Sequence, residues 1–502
     1  MNDADFEPQD LSEHMSVRLA KRTRLYEQGC DPYPVSVART MTLLEVRSRF
    51  GHLEAGEETN DVVSVSGRVI FLRNTGKLCF ATMQGGFNAQ TNGERLQIMV
   101  SLAEVGQDRL EAWKTDVDLG DFISATGRVI ASKRGELSVL ATSWQMASKA
   151  LRPLPVLHKD LSEETRVRQR YADLIVRPEA REMVRTRSMV MKSIRQTLDD
   201  EGFLEVETPI LQSVHGGAKA RPFRTHLNAF TIDMTLRIAL ELYLKRAMVG
   251  GADRVYEIGR IFRNEGIDSS HSAEFSMLEF YAAWLDQTSV AAITQHIIQN
   301  AADAVLGKRT VVWRGTEIDL GGQWRWARFF DLVSAAVGEE VNTDTSLTQL
   351  KAYADQHKIT YDPKIDAGKL AMELYEELAE SSLIEPTFVY DFPAIAQPLA
   401  RLQDDSRLVA AWDLIIGGME RGTGFSELID PVIQRQRLVE QSLIASGGDL
   451  EAMLVDEDFL QALEYGVPPM GGVGVGIDRV MMLLTDSRIR ETILFPLLRP
   501  SS

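Results

Sequence analysis

Arg263, Glu265 and His271 stand close together in RVYEIGRIFRNEGIDSSHSAEFSMLEFYAAW (254–284), a stretch that reads as strand, polar loop, strand. A guanidinium offers paired contacts to phosphate oxygens, and two flanking strands would give it a rigid base, so the loop suits a polyphosphate. For FRNE taken alone, a surface hairpin with scattered ion pairs is the favoured reading. The second stretch is PPMGGVGVGIDRVMMLL (468–484), where alternating glycines lead into Asp478, Arg479 and an apolar helix. Glycine lets a ligand come close to the backbone. A dinucleotide loop matches poorly, because it needs a preceding strand and an acid roughly 20 positions on. Arg479 at a helix start can instead meet phosphate together with the helix-end amides. The third is WDLIIGGME, where a helix would put Asp413 and Glu420, seven apart, on one face. Taken singly, acids at this spacing usually face solvent.

Elements must hold these groups in place. EMVRTRSMVMKSIRQTLDDEGF (182–203) has helical spacing that ends at Gly202, and LEVETPIL then alternates as a strand. The remainder mixes strands and helices without regular βαβ alternation, which predicts an α+β domain on an antiparallel sheet. Upstream, VVSVSGRVIFLR, KLCFATMQ, RLQIMVS, DFISATGRVIAS and ELSVLATSWQMAS read as five strands, with AEVGQDRLEAWKTD as a helix between the third and fourth. That order suits an OB barrel, a fold that often binds oligonucleotides. The expected division is an N-terminal helical extension over 1–60, the barrel over 61–150 and a basic linker broken by Pro153, Pro155 and Pro178 over 151–180. A catalytic domain follows over 181–502, with a helical elaboration of two helices and polar turns near 285–385.

Bulk properties bound the function. A chain of 502 residues predicts about three structural units. No run approaches the roughly 18 apolar residues of a membrane span, and MNDADFEPQD lacks the order of a secretory leader, so a cytoplasmic protein is expected. Cys30 and Cys79 have no neighbouring metal-ligating partners, which argues against a sulfur-bound structural metal. A net charge of −17 excludes a generally adhesive nucleic-acid binder. RNA contact would need a local patch. Ser16–Arg24, with Arg18, Lys21, Arg22 and Arg24, is one candidate, though such runs are more often solvated faces.

Together, the 254–284 and 468–484 segments resemble motifs two and three of class II aminoacyl-tRNA synthetases, and GFLEVETPIL (202–211) resembles motif one. GKLCFATMQ, GELSVLA, KALRPLP, RVRQRYADLIVRP, GGAKARPF, ELYLKR and FSELIDP further resemble the bacterial lysyl enzymes over nearly the whole chain, least so near 300–385. The resemblance implies a lysine–tRNA ligase that uses ATP and Mg²⁺. It implies Arg263 on the α-phosphate as lysine carboxylate attacks, with Arg263 and Arg479 as the catalytic pair. It further implies Glu265 on the adenine amino group, Phe275 under the adenine ring, and His271 and Arg479 toward the outer phosphates. Asp413 and Glu420 match the magnesium-binding acids. Glu241, Glu279 and Glu427, with Tyr281 and Phe425, match the lysine pocket, and Gly217 meets the backbone end of the substrate.

On the barrel, Phe80, Gln84 and Glu136 match anticodon-reading residues, where stacking and edge contacts are the expected physics. Motif one implies a homodimer with Pro209 near its two-fold axis. Departures from the commonest family pattern are Leu240 for proline, Ala273 for proline, His215 before the paired glycines, Thr423 for asparagine and Ile429 for a polar residue. Two other readings stand beside this one. One is a specialised paralogue that hands an activated lysine-like amino acid to a non-tRNA acceptor. The other is a non-catalytic RNA-binding protein on the same fold.

Overall fold

The structure is a computed structural model that describes residues 12–155, 161–446 and 453–499; the extreme N-terminus read for a leader lies outside them. The chain divides into two compact units, residues 1–185 and 186–502.

In the first unit, strands Glu58–Asn74, Leu78–Gln84, Arg95–Ser101, Phe122–Ala131 and Leu137–Ser148 form a closed barrel. The third strand pairs parallel to the fifth, and the first closes on the fourth. Two short helices, Leu102–Val105 and Gln107–Asp116, lie between the third and fourth strands. This is the expected OB topology. Alternation drives it: Cys79, Ala81 and Met83 are buried, with Leu96, Ile98 and Val100 opposite them. Leu78, Phe80 and Thr82 face outward and are only partly covered.

Helix Glu13–Glu27 docks on this barrel and uses up the basic run considered for RNA. Arg18 is buried and donates to the carbonyls of Ala150 and Arg152. Lys21 pairs with Asp118 at 2.7 Å and Arg24 with Asp116. The run is therefore a docking face, because Arg18 caps backbone carbonyls while Lys21 and Arg24 meet the acids Asp118 and Asp116. Asp118 and Asp121 also hold Lys149, whose Nζ lies 2.6 and 2.7 Å from them and 2.8 Å from the Asp116 carbonyl. The 151–180 stretch is not an irregular linker over its described part. It forms helices Glu163–Arg168 and Arg170–Val176, because Arg170 and Arg177 both pair with the buried Asp173. Pro178 opens the next helix, Pro178–Asp200, at a position where no amide donor is needed.

The second unit is built on an eight-stranded sheet. Its order is Arg325–Arg328, Thr387–Tyr390, Ala411–Ile415, Glu420–Ser426, Met470–Gly476, Glu274–Ala283, Arg254–Phe262 and Leu204–Glu205. The inner pairings are antiparallel and the two outermost are parallel. LEVETPIL forms two short strands, Leu204–Glu205 and Leu211–Gln212, interrupted around Pro209. The segment read as two helices and turns is richer. It has helices Gln287–Leu306, Phe329–Val337, Leu347–Gln356 and Ala367–Leu378, with hairpin Thr310–Trp313/Thr316–Asp319 and the sheet's edge strand. Arg314 and Gly315 adopt positive φ at the hairpin tip, a short-range signal that helical periodicity does not capture.

Lys149→Met is expected to strip the charge partner from the fully buried Asp121 and to destabilise the barrel by on the order of 3 kcal/mol. Denaturant unfolding of the full chain, followed by fluorescence of the barrel's Trp113–Trp144 pair, measures this.

Candidate active site

Strand registry assembles the site. Glu279 lies opposite Gly474, Gly474 opposite Thr423, and Thr423 opposite Asp413, so four strands contribute one row. A second row runs Tyr281, Gly472, Phe425 and Ala411. Cross-strand partners share a face, and so do alternate residues on one strand. Phe275, Met277, Glu279 and Tyr281 therefore point the same way as Thr423 and Phe425, and all of them line two cavities above the sheet. The alternating glycines leave those cavities open. A β-carbon at Gly472 would overlap Glu427 Oε1 and the Tyr281 ring.

The first cavity, about 230 Å³, is lined by Gly217, Glu241, Arg263, Glu279, Tyr281, Phe425 and Glu427 among others. Glu279 accepts hydrogen bonds from the Leu240 amide at 2.8 Å and the Tyr281 hydroxyl at 3.1 Å. The amide at 240 is there to donate because the residue is leucine; a proline would carry no N–H. Leu240, Tyr281 and Ile429 also share one small apolar cluster. Lys245 lies between Glu241 and Glu427. Burial pushes the Glu279 carboxyl up to about 8, with Glu241 repulsion adding to it. Burial also pushes Glu427 up to about 8, Lys245 opposing and Glu241 and Glu279 adding. Glu427 Oε1 accepts no hydrogen bond from any described residue. A pocket with three buried carboxylates is shaped for an ammonium.

The second cavity, about 210 Å³, shares Arg263, Met277, Thr423 and Gly474 with the first. Its wall also holds Glu265, His271, Phe275, Glu420 and Arg479. Arg263 follows strand Arg254–Phe262; its Nε donates to Ile238 O at 3.3 Å and its guanidinium lies 5.3 Å from the Phe275 ring centre. Glu265 accepts from the Arg221 amide. His271 Nδ1 lies 2.8 Å from Asp268, which leaves Nε2 3.4 Å from Arg479 Nη2. Arg479 sits in the first turn of helix Ile477–Thr485, and Arg479 Nη1 donates to Glu420 O. Asp478 anchors that helix to the sheet by accepting from Ser276 N at 2.7 Å and Arg187 Nη1 at 2.6 Å.

Asp413 and Glu420 are not on a helix. They lie on adjacent antiparallel strands joined through Gly417 and Gly418, both at positive φ. A spacing of seven suits either arrangement, and the glycine pair selects the hairpin. Register still puts the two acids on one face: Asp413 and Ile415 alternate, and Glu420 is the partner of Ile415. Burial holds Asp413 well above the usual carboxylate range, with Glu420, Glu380 and Glu376 adding repulsion. Among the described residues no three ligand-type side chains converge on one metal position. Glu420 lines the second cavity and Asp413 lies on the same face of the sheet, and such carboxylates are the oxygen donors that Mg²⁺ takes together with substrate oxygens and water.

On the barrel, Gln84 does not stand free. It is buried and its amide donates to Ile175 O at 3.2 Å. Gln97 takes the open place beside Phe80: it lies opposite Thr82, on the same outer face, and donates to Ser138 Oγ. Outward alternation of Gln97 and Met99 in RLQIMVS was the signal that would have found it. Glu136 is exposed, 3.5 Å from Arg47.

Residues 162–499 match the family described as tRNA synthetases class II (D, K and N), and residues 63–147 match the OB-fold nucleic acid binding domain. The chain is 55% identical to a lysine–tRNA ligase of Kineococcus radiotolerans over 99% of both chains. It is 52% identical to one from Mycobacterium bovis over 98% of both. The lysylphosphatidylglycerol biosynthesis bifunctional protein LysX of Rhodococcus jostii is 46% identical over 97% of this chain and 43% of its own.

The raised Glu279 carboxyl makes stability depend on pH. Its folded-state proton stabilises fully below about pH 4.5, and that contribution is lost as pH rises to about 8. Glu279→Gln should therefore gain thermal stability over the parent as pH is raised from 5 to 8; melting curves with a constant difference across that range would contradict this.

Proposed function

The chain belongs to the class II tRNA synthetases, and we propose that it is a lysine–tRNA ligase. The observation that carries the reading is the pair of cavities meeting at Arg263, one lined by buried carboxylates, the other by arginine, histidine and an aromatic ring. Lysine would place its amines among Glu241, Glu279 and Glu427, with Tyr281 and Phe425 along its stem and Gly217 at its backbone end. ATP would lie in the second cavity, with adenine on Phe275 and its amino group at Glu265, and the outer phosphates at His271 and Arg479.

That arrangement brings the lysine carboxylate to the α-phosphorus beside Arg263. The carboxylate oxygen attacks, pyrophosphate leaves, and lysyl-adenylate remains. Arg263 stabilises the charge that builds on the phosphoryl oxygens, and Arg479 draws the leaving group away. Positioning does the rest, with no covalent enzyme intermediate. Mg²⁺, held by Asp413 and Glu420, would neutralise phosphate charge. A terminal hydroxyl of lysine tRNA then attacks the adenylate carbonyl and AMP leaves.

On the barrel, Phe80 supports stacking of an anticodon base, with Gln97 and Glu136 offering edge contacts. Exposed Leu204, Ile210 and Leu211 around Pro209 support a homodimer through motif one. Among the described residues no helix is long and apolar enough to cross a membrane. We place the enzyme in the cytoplasm, where its tRNA partner is. Near-complete coverage of the ligase relatives, against less than half of the LysX relative, favours the tRNA acceptor over the lipid one.

Lysine-dependent ATP–pyrophosphate exchange, screened across the standard amino acids and followed by charging of transcribed lysine tRNA, tests the proposal. Exchange without charging would redirect it to another acceptor, and no exchange would leave a binding protein. Arg263→Ala is expected to slow exchange by about 10²–10³-fold. Phe80→Ala should leave exchange unchanged and weaken tRNA charging by about 1–3 kcal/mol in kcat/KM.

A further inference from the structure

One charge beside the amine cavity has no part in the reaction above. Lys245 is fully buried, with Nζ 2.5 Å from Glu241 Oε1 and 2.5 Å from Glu427 Oε2. It does not line the cavity, so it acts on a ligand only through those carboxylates. Burial disfavours its charge, but the two glutamates outweigh burial and hold its ammonium protonated. The other titratable groups around it are Glu279 and Tyr281 on strand Glu274–Ala283, with Arg263 beyond Glu279.

We propose that Lys245 is a positioning and specificity-determining residue for lysine. Its ammonium occupies one oxygen of Glu241 and one of Glu427, which leaves Glu241 Oε2 toward Gly217 and Glu427 Oε1 toward Gly472 for the substrate's amines. It also sets the charge. Among the buried charges, three glutamates against Lys245 and Arg263 leave one negative charge, and free lysine carries one net positive charge, so the buried cluster closes neutral; Lys219, the other cation lining the cavity, is exposed and turns its Nζ to Ile395 O. An amino acid with an uncharged side chain would leave a buried carboxylate without a counter-charge, which is strongly disfavoured. This inference rests on the lysine reading.

A substrate-free pocket with a surplus carboxylate keeps a proton, in accord with the upward shifts of Glu279 and Glu427 to about 8. Lysine must expel that proton. Its affinity should therefore rise with pH and level off above about 8.

The test is calorimetric titration of lysine into the full-length protein, its Lys245→Gln variant and its Lys245→Met variant, at pH 7.5 in buffers of different ionisation enthalpy. At pH 7.5 the parent and both variants should each release about one proton; repeated at pH 9, the parent should release little because its free pocket is already deprotonated, whereas each variant, with one more surplus carboxylate, still holds a proton and should release it. Lysine KM in pyrophosphate exchange should rise about tenfold or more at pH 7 while kcat changes less, and the fall of KM with pH should continue above the pH of about 8 at which the parent's levels off. Variants that bind weakly but keep the parental proton release and pH profile would show that Lys245 only fills space. If neither variant folds, the parent decides: lysine should release a proton and norleucine none, and equal release overturns the inference. Lysine-dependent exchange by the parent keeps the functional reading standing in either case, whereas a parent that binds no lysine sinks both.

Discussion

The site depends on the hydrogen-bonded register of four strands. Glu279, Gly474, Thr423 and Asp413 form one row, with Tyr281, Gly472 and Phe425 in the next. A slip of one residue on any of these strands would turn its chemical groups to the opposite face. Buried Val473 and Val475, alternating with the glycines, make such a slip costly because they would be driven into the cavities. Helix Ile477–Thr485 is held in phase with the same register through Asp478 and Ser276.

Once register is set, electrostatics divide the surface. Arg263 stands where the two cavities meet, with carboxylates on one side and Arg479 and His271 on the other. Such charges are tolerable in a dry site only when compensated. Lys245 supplies part of that compensation between Glu241 and Glu427, the Leu240 amide and Tyr281 hydroxyl supply hydrogen bonds to Glu279, and the remainder falls to ligands. The barrel follows the same rule, since Lys149 is buried only because Asp118 and Asp121 meet it.

The sequence carried the five barrel strands, the strand–loop–strand of 254–284 and the glycine-led helix start at 477, because each is a local pattern of alternation, turn residues and helical period. Family resemblance named Arg263, Arg479 and the three pocket glutamates among the residues that line the two cavities. Local pattern failed at WDLIIGGME, where a spacing of seven was compatible with a helix until the Gly417–Gly418 turn made it a hairpin. It failed also at Arg18–Arg24, where Lys21 and Arg24 find acids and Arg18 finds backbone carbonyls more than 90 residues away in the chain.

What the sequence determined by itself was therefore which segments alternate, which turn, and which residue types exist to do chemistry. Tertiary structure alone decided that Gln84 is buried against Ile175 while Gln97 stays open. It alone decided that Lys245 is clamped by two glutamates and that four strands distant in sequence put Asp413, Thr423 and Glu279 in one row. The physical reason is that periodicity reports on hydrogen bonds and burial within one segment, whereas charge compensation and cross-strand register depend on partners from other segments, which no local pattern specifies.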